Sequence, residues 1–238
     1  MRFLAIALAL GVSATALLLP FFSRVEYISS RDIVRAKFEA PKKVEHLSTP
    51  EPLKAIYMTA CVAATPSWRE KLKGLIDTTE LNAVVIDIKD YTGEVAFSQD
   101  SQCFVGDLGE FVQKLHDASI YVIGRISVFQ DPYYAKRHPE LAVQSVSGGI
   151  WRDHKGLSFI DVGAKPYWDY IVDISNEAYA LGFDELNFDY VRYPSDGDME
   201  DVRYVWTGMS ASSTNQLLVK SEILESFFSY LGAELEKT

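Results

Sequence analysis

Residues 184–194 read DELNFDYVRYP. Alternation of Leu186, Phe188 and Tyr190 marks a strand with one apolar face. The opposite face carries Asn187, Asp189 and Val191, and Arg192 follows at the strand end. An unpaired buried charge is prohibitively costly, so these polar groups must pair with one another or meet a polar ligand. Where the second face of this strand points therefore decides the fold.

Three other segments behave in the same way. KAIYMTACVA (54–63), NAVVIDIKD (82–90) and IYVIGRISVF (120–129) are strand-like and rich in β-branched residues. In the second, Val84, Ile86 and Ile88 oppose Val85, Asp87 and Lys89. In the third, Val122, Gly124, Ile126 and Val128 oppose Tyr121, Ile123, Arg125 and Ser127. In the first, Ile56, Met58 and Ala60 oppose Tyr57, Thr59 and Cys61. Helical patterns lie between and after the strands. Thr65-Pro66 opens one as N-cap and first helical residue. Asp107 and Glu110 have capping-box spacing ahead of the face Leu108, Phe111, Val112 and Leu115. PYWDYIVDISNEAYALG (166–182) begins with Pro and stops at Gly182, and NQLLVKSEILESFFSYLGAELEK (215–237) is a final helix. Gln130 to Lys165 is a long polar connection, on which His138 packs or caps the loop. His116, on the second helix, reads as a surface residue.

The order β-α-β-α-β-α-β-α implies parallel strands with right-handed crossovers. In an open sheet covered on both sides the strands should be apolar throughout. Here one face turns polar towards each C-terminal end, where barrel enzymes keep their chemistry. The pattern predicts four units of a (β/α)₈ barrel, the N-terminal half, with Asp87, Arg125 and Asp189 sharing a lumen.

These same segments carry a resemblance. NAVVIDIKDYTGEVAF, IYVIGRISVFQDPYYAKRHPELAV, GGIWRDHKGLSFIDV and GFDELNFDYVRYPSDG together resemble a microbial family of glycoside hydrolase domains of unknown function, in the TIM-barrel glycosidase superfamily. The likeness covers roughly residues 53–200 and implies an eight-unit barrel acting on a polysaccharide or oligosaccharide. Four units are present, so a gene fragment is favoured over a half-barrel with two exposed strand edges.

Glycosidases generally use two carboxyl groups across the scissile bond. Asp189, on the strand end where many barrel glycosidases carry a catalytic carboxylate, is the first candidate nucleophile, and Asp87 the second catalytic candidate. The resemblance places the partner acid on a later strand. Lys89, Asp90, Arg125, Asn187 and Arg192 are candidate substrate contacts. Trp151, after Gly148-Gly149, is a candidate sugar-stacking ring. The alternative reading for each is structural: salt bridges for the charged groups, a loop anchor for Trp151. His154 is too isolated for a metal site, so neither metal nor cofactor is expected. The same gap argues against a metal-dependent deacetylase. A non-catalytic carbohydrate-binding or envelope protein is the alternative to a hydrolase.

Composition sets the remaining bounds. The net charge of −10 disfavours nucleic-acid binding. Cys61 and Cys103 are the two cysteines; they are able to pair outside the cytoplasm but make no disulfide framework. Residues 1–22, MRFLAIALALGVSATALLLPFF, are nearly unbroken apolar sequence. They are expected to be an uncleaved signal anchor, or a signal peptide cut after Ala14-Thr15-Ala16. Residues 23–52 follow as a linker and 53–238 as the barrel domain. Both readings imply export, either anchored in a membrane at the cell surface or periplasm, or secreted.

Overall fold

The computed structural model describes residues 44–210 and 216–237. The predicted apolar helix over 1–22 and most of the predicted linker lie outside these residues. Among the described residues no helix is long and apolar enough to cross a membrane.

Four parallel strands form the main sheet: β1 (Ala55–Met58), β2 (Ala83–Lys89), β3 (Tyr121–Ser127) and β5 (Glu185–Asp189), side by side in chain order. Helical crossovers join them: α1 (Ala60–Ala63) and α2 (Pro66–Asp77), then α3 (Leu108–Asp117), then α5 (Lys165–Ala180). This is the predicted repetition of β/α units, and the helix-facing side of the sheet is the predicted one. Val84, Ile86, Ile88, Val122 and Ile126 are wholly buried. Gly124 sits where a side chain would strike Ile88 and Phe183, so the third crossover needs glycine to approach the sheet.

The other face is stratified. Near the strand N-termini, Ala83, Tyr121 and Ile123 form a small apolar cluster with Leu47 and Val85. Residues 46–49 close this end. The buried Asp184 carboxylate accepts from the backbone of Leu47 (2.6 Å) and Val122 (2.8 Å) and meets His116 Nε2 at 3.0 Å. Thr49 and Tyr121 share a hydrogen bond. His116, read as a surface residue, is in fact nearly buried here. Its helical position faces outward by periodicity, but the incoming segment covers it.

Several boundaries differ from the sequence expectation. The first strand ends at Met58, because the Thr59 side chain accepts from Val62 N–H and starts a helical turn. The fourth strand stops at Asp189, because Tyr190 takes a left-handed conformation, φ 52°. Asp107 precedes α3 as expected, but its carboxylate is no cap: it takes a bidentate pair from Arg69 at 2.7 and 2.8 Å.

The connection expected to be a polar loop has a core of its own. It contains α4 (Pro132–Arg137) and β4 (Gln144–Ser145), and β4 joins β6 (Val202–Tyr204) and β7 (Met209–Ser210) in an antiparallel sheet. Leu141, Val143, Trp151, Phe159 and Ile160 are buried in it. They follow neither a 2-residue nor a 3.6-residue period, so pattern reading does not find them. His138 stacks on Tyr134, centroids 4.3 Å apart, as the packing reading expects. The last helix, α6 (Gln216–Leu235), packs Phe227 against Phe129 and Trp168.

Candidate active site

At the C-terminal end of the sheet the inward face becomes charged. Arg125, from the middle of β3, is its hub. Its Nη1 donates to Asp87 Oδ1 at 2.8 Å. Its Nε and Nη2 donate to one oxygen of Asp189, at 3.0 and 2.6 Å. Tyr57, from β1, donates its hydroxyl to the other oxygen of Asp87. The backbone N–H of Tyr190 donates to Asp189 Oδ1 at 2.6 Å. All four main strands therefore contribute one side chain to a continuous network, as parallel alternation demands.

Exposure is graded along it. The Asp87 side chain is 3% exposed and Arg125 18%, whereas Asp189 is 45% exposed. Asp189 is thus the carboxylate that faces solvent, and Asp87 the one beneath it. Burial pushes the Asp87 carboxyl up from its ordinary value, against hydrogen bonds from Tyr57 and Arg125 that pull it down. Partial burial, and then the bond to Asp87, pushes the Tyr57 phenol up. For Arg125, burial opposes the charge, but the bonds to Asp87 and Asp189 outweigh it and hold the guanidinium more firmly protonated than usual.

The structure brings together Asp87, Arg125 and Asp189, the three residues on which the sequence reading turned. Asn187 lies on the same strand face, exposed, two residues before Asp189. The remaining candidates are placed differently. Lys89 was expected in the lumen beside Asp87, but it is fully buried elsewhere. It pairs with Asp131 Oδ2 at 2.9 Å and donates to Ser127 O at 2.5 Å. The β2–β3 register shifts between Asp87 and Lys89, which breaks the simple alternation. The Asp90 carboxylate closes its own turn, accepting from Thr92 N and Oγ1. Trp151 presents no ring at the mouth: it is 2% exposed, its indole N–H donates to Asp198 O, and Gly197 packs on the ring. The loop-anchor alternative describes it.

Arg192 lies past the strand end and lines a cavity of about 410 Å³ with Tyr91, Gln130, Lys155, Phe159 and Tyr190. Of these, only Arg192 was singled out from sequence. Tyr57 was also missed as a site residue, although its place on the inward face of the first strand was legible. Among the described residues, no group of three or more His, Cys, Asp or Glu is placed to hold a metal ion.

Parallel β/α units whose strand ends carry a graded carboxylate–guanidinium network define a barrel-type β/α domain. Residues 55–238 match the family described as "Putative glycosyl hydrolase domain", and the chain belongs to that family. A hypothetical protein from Ruminiclostridium thermocellum ATCC 27405 is similar in structure and sequence, with TM-score 0.63 and 32% identity over 74% of this chain and 90% of that one. Two glycosidases share the fold at low identity. The Thermus thermophilus α-galactosidase TtGalA has TM-score 0.51 and 11% identity over 80% of this chain and 37% of that one. A family-31 α-xylosidase from a soil metagenome has TM-score 0.54 and 14% identity over 77% and 27%. This chain thus spans well under half the length of either glycosidase. No curated protein matches the sequence.

Proposed function

We propose that the site at Asp189 hydrolyses a glycosidic bond in a polysaccharide or oligosaccharide, with Asp189 as nucleophile. The observation that carries this reading is the exposed Asp189 carboxylate, fixed by three N–H donors at the C-terminal end of the fourth parallel strand. Such donors hold a carboxylate in one orientation, and reaction from a fixed geometry lowers the entropic part of the barrier. Asp87 acts through Arg125: both its oxygens are already engaged, so its role is to position the guanidinium. Asn187 and Arg192 contact the sugar from the strand face and the rim.

A hydrolase of this kind needs a second carboxyl group to protonate the leaving oxygen. Asp87 has the raised proton affinity of an acid, but its partners leave it no free oxygen to offer substrate. We assign that step to a group outside the Arg125 network.

We further propose that the protein is exported. Cys61 and Cys103 form a disulfide, and disulfides persist in oxidising compartments. With the apolar N-terminal run this supports export, residues 1–22 serving as signal or anchor.

The test is incubation of the full chain with a panel of bacterial and plant polysaccharides, followed by assay of new reducing ends. Release of reducing ends supports the hydrolase. Saturable binding without any release supports the non-catalytic carbohydrate-binding alternative instead.

A further inference from the structure

The cavity beside the Asp189 network has an uneven distribution of free donors. Tyr190 follows Asp189 directly, and its left-handed backbone turns the chain so that Tyr190 and Arg192 both line this cavity. The Arg192 guanidinium lies 5.5 Å from the Tyr190 ring centroid and 5.8 Å from that of Phe159. Its Nη1 is used within the loop, donating to Ser195 Oγ at 2.8 Å and reaching Tyr193 O at 3.5 Å. Among the described residues, no acceptor engages its Nε or Nη2, the paired edge that matches a planar anion. Lys155 lines the same cavity and is exposed, and no described carboxylate lies within ion-pair distance of it or of Arg192.

Two carboxylates also line the cavity, but they are turned to other work. Asp153 Oδ1 accepts from the backbone of Lys155 (2.9 Å) and Leu157 (2.8 Å). Asp196 lies 3.7 Å from His154. Their charges offset the two cations at long range, so any selection of anions here comes from direct contact with the Arg192 edge and the Lys155 ammonium. This arrangement stands out in a chain of net charge −10. The volume, about 410 Å³, is within the usual range for a small-molecule site. Tyr91, which also lines the cavity and is 51% exposed, offers an open ring for the apolar face of a sugar.

We infer that this cavity is a subsite for a sugar residue bearing an anionic substituent, a uronate carboxylate or a sulfate ester, held by Arg192 and Lys155 beside Asp189. The inference rests on the hydrolase reading for the meaning of "subsite", and it makes the substrate an acidic glycan. Arg192 supplies a bidentate contact, Lys155 a second cation and Tyr91 the stacking surface.

The experiment measures binding of the full chain carrying Asp189→Asn, chosen to slow turnover on the hydrolase reading, to an array of uronate-bearing, sulfated and neutral oligosaccharides. Anionic members are expected to bind at least tenfold tighter than neutral ones of equal length. Arg192→Gln and Lys155→Gln should each remove most of that preference, and added salt should weaken it. Both side chains are exposed, so neither change threatens the fold, and an unchanged melting temperature verifies this. Retention of uronates but not sulfates, or the reverse, identifies which anion the site takes. Binding of neutral members alone, no binding, or a preference that survives both substitutions overturns the inference. Hydrolysis of a neutral glycan that still depends on Asp189 would overturn it while leaving the hydrolase reading intact.

Discussion

Arg125 donates two hydrogen bonds, 2.6 and 3.0 Å long, to a single oxygen of Asp189, leaving the other oxygen to the Tyr190 backbone N–H. The carboxylate is therefore held from both sides, by a side chain one strand away and by its own next peptide. This geometry depends on a planar fork; a lysine there keeps the charge and loses the second bond. Arg125→Lys should thus cut turnover on the order of 10²-fold, since small misplacements of a reacting group cost about that much. A steady-state assay that finds full activity in Arg125→Lys would show that Asp189 needs no such fork.

Lys89 and Asp131 form a wholly buried ion pair behind the site, with Tyr167 donating to Asp131 Oδ2 at 2.8 Å. Lys89→Met leaves Asp131 charged and uncompensated, which should cost about 3–5 kcal/mol of stability. The folded fraction should keep its KM, since Lys89 meets no substrate. Urea unfolding together with kinetics at low temperature checks both halves. A raised KM with unchanged stability would return Lys89 to the substrate.

Burial raises the Asp87 pKa above its ordinary 3.8. The folded state accordingly binds this proton more tightly than the unfolded chain. The associated stabilisation is complete below pH 3.8 and is lost as pH rises through the folded-state value. The stability of wild type relative to Asp87→Asn should consequently rise as pH falls through the folded-state value towards 3.8. Chemical denaturation of both proteins across that window measures it, and a pH-independent difference would contradict the assignment.

The disulfide between Cys61 and Cys103 ties α1 to the loop ahead of α3 across 42 residues of chain. Closing a loop of this size in the unfolded state is worth about 2–4 kcal/mol. The Cys61→Ser, Cys103→Ser double variant should lose that much in equilibrium unfolding. A loss below about 0.5 kcal/mol would mean that the loop is held by its other contacts.

The parallel strands and their inward charges were legible because strand alternation is a strict period of two. Asp87, Arg125 and Asp189 each stand on the polar phase of a strand, and the structure joins them. Lys89 stands on the same phase and was misplaced, because a register shift between Asp87 and Lys89 carries it out of the lumen. Trp151 was misplaced for a different reason. Two glycines before it suggested an exposed turn, but a third, Gly197, is distant in sequence and closes over its ring. The cavity at Arg192 was illegible as a whole, since Tyr91, Gln130, Lys155 and Tyr190 come from separate loops with no shared period.

The central claim is that Asp189 carries the chemistry. The measurement that tests it most directly is reducing-sugar release by Asp189→Asn, compared with wild type on any polysaccharide the latter cleaves. The substitution is nearly isosteric at a half-exposed position, so the fold should persist. The account predicts a fall in turnover on the order of 10³-fold with an unchanged melting temperature. Turnover equal to wild type in the folded variant would contradict it.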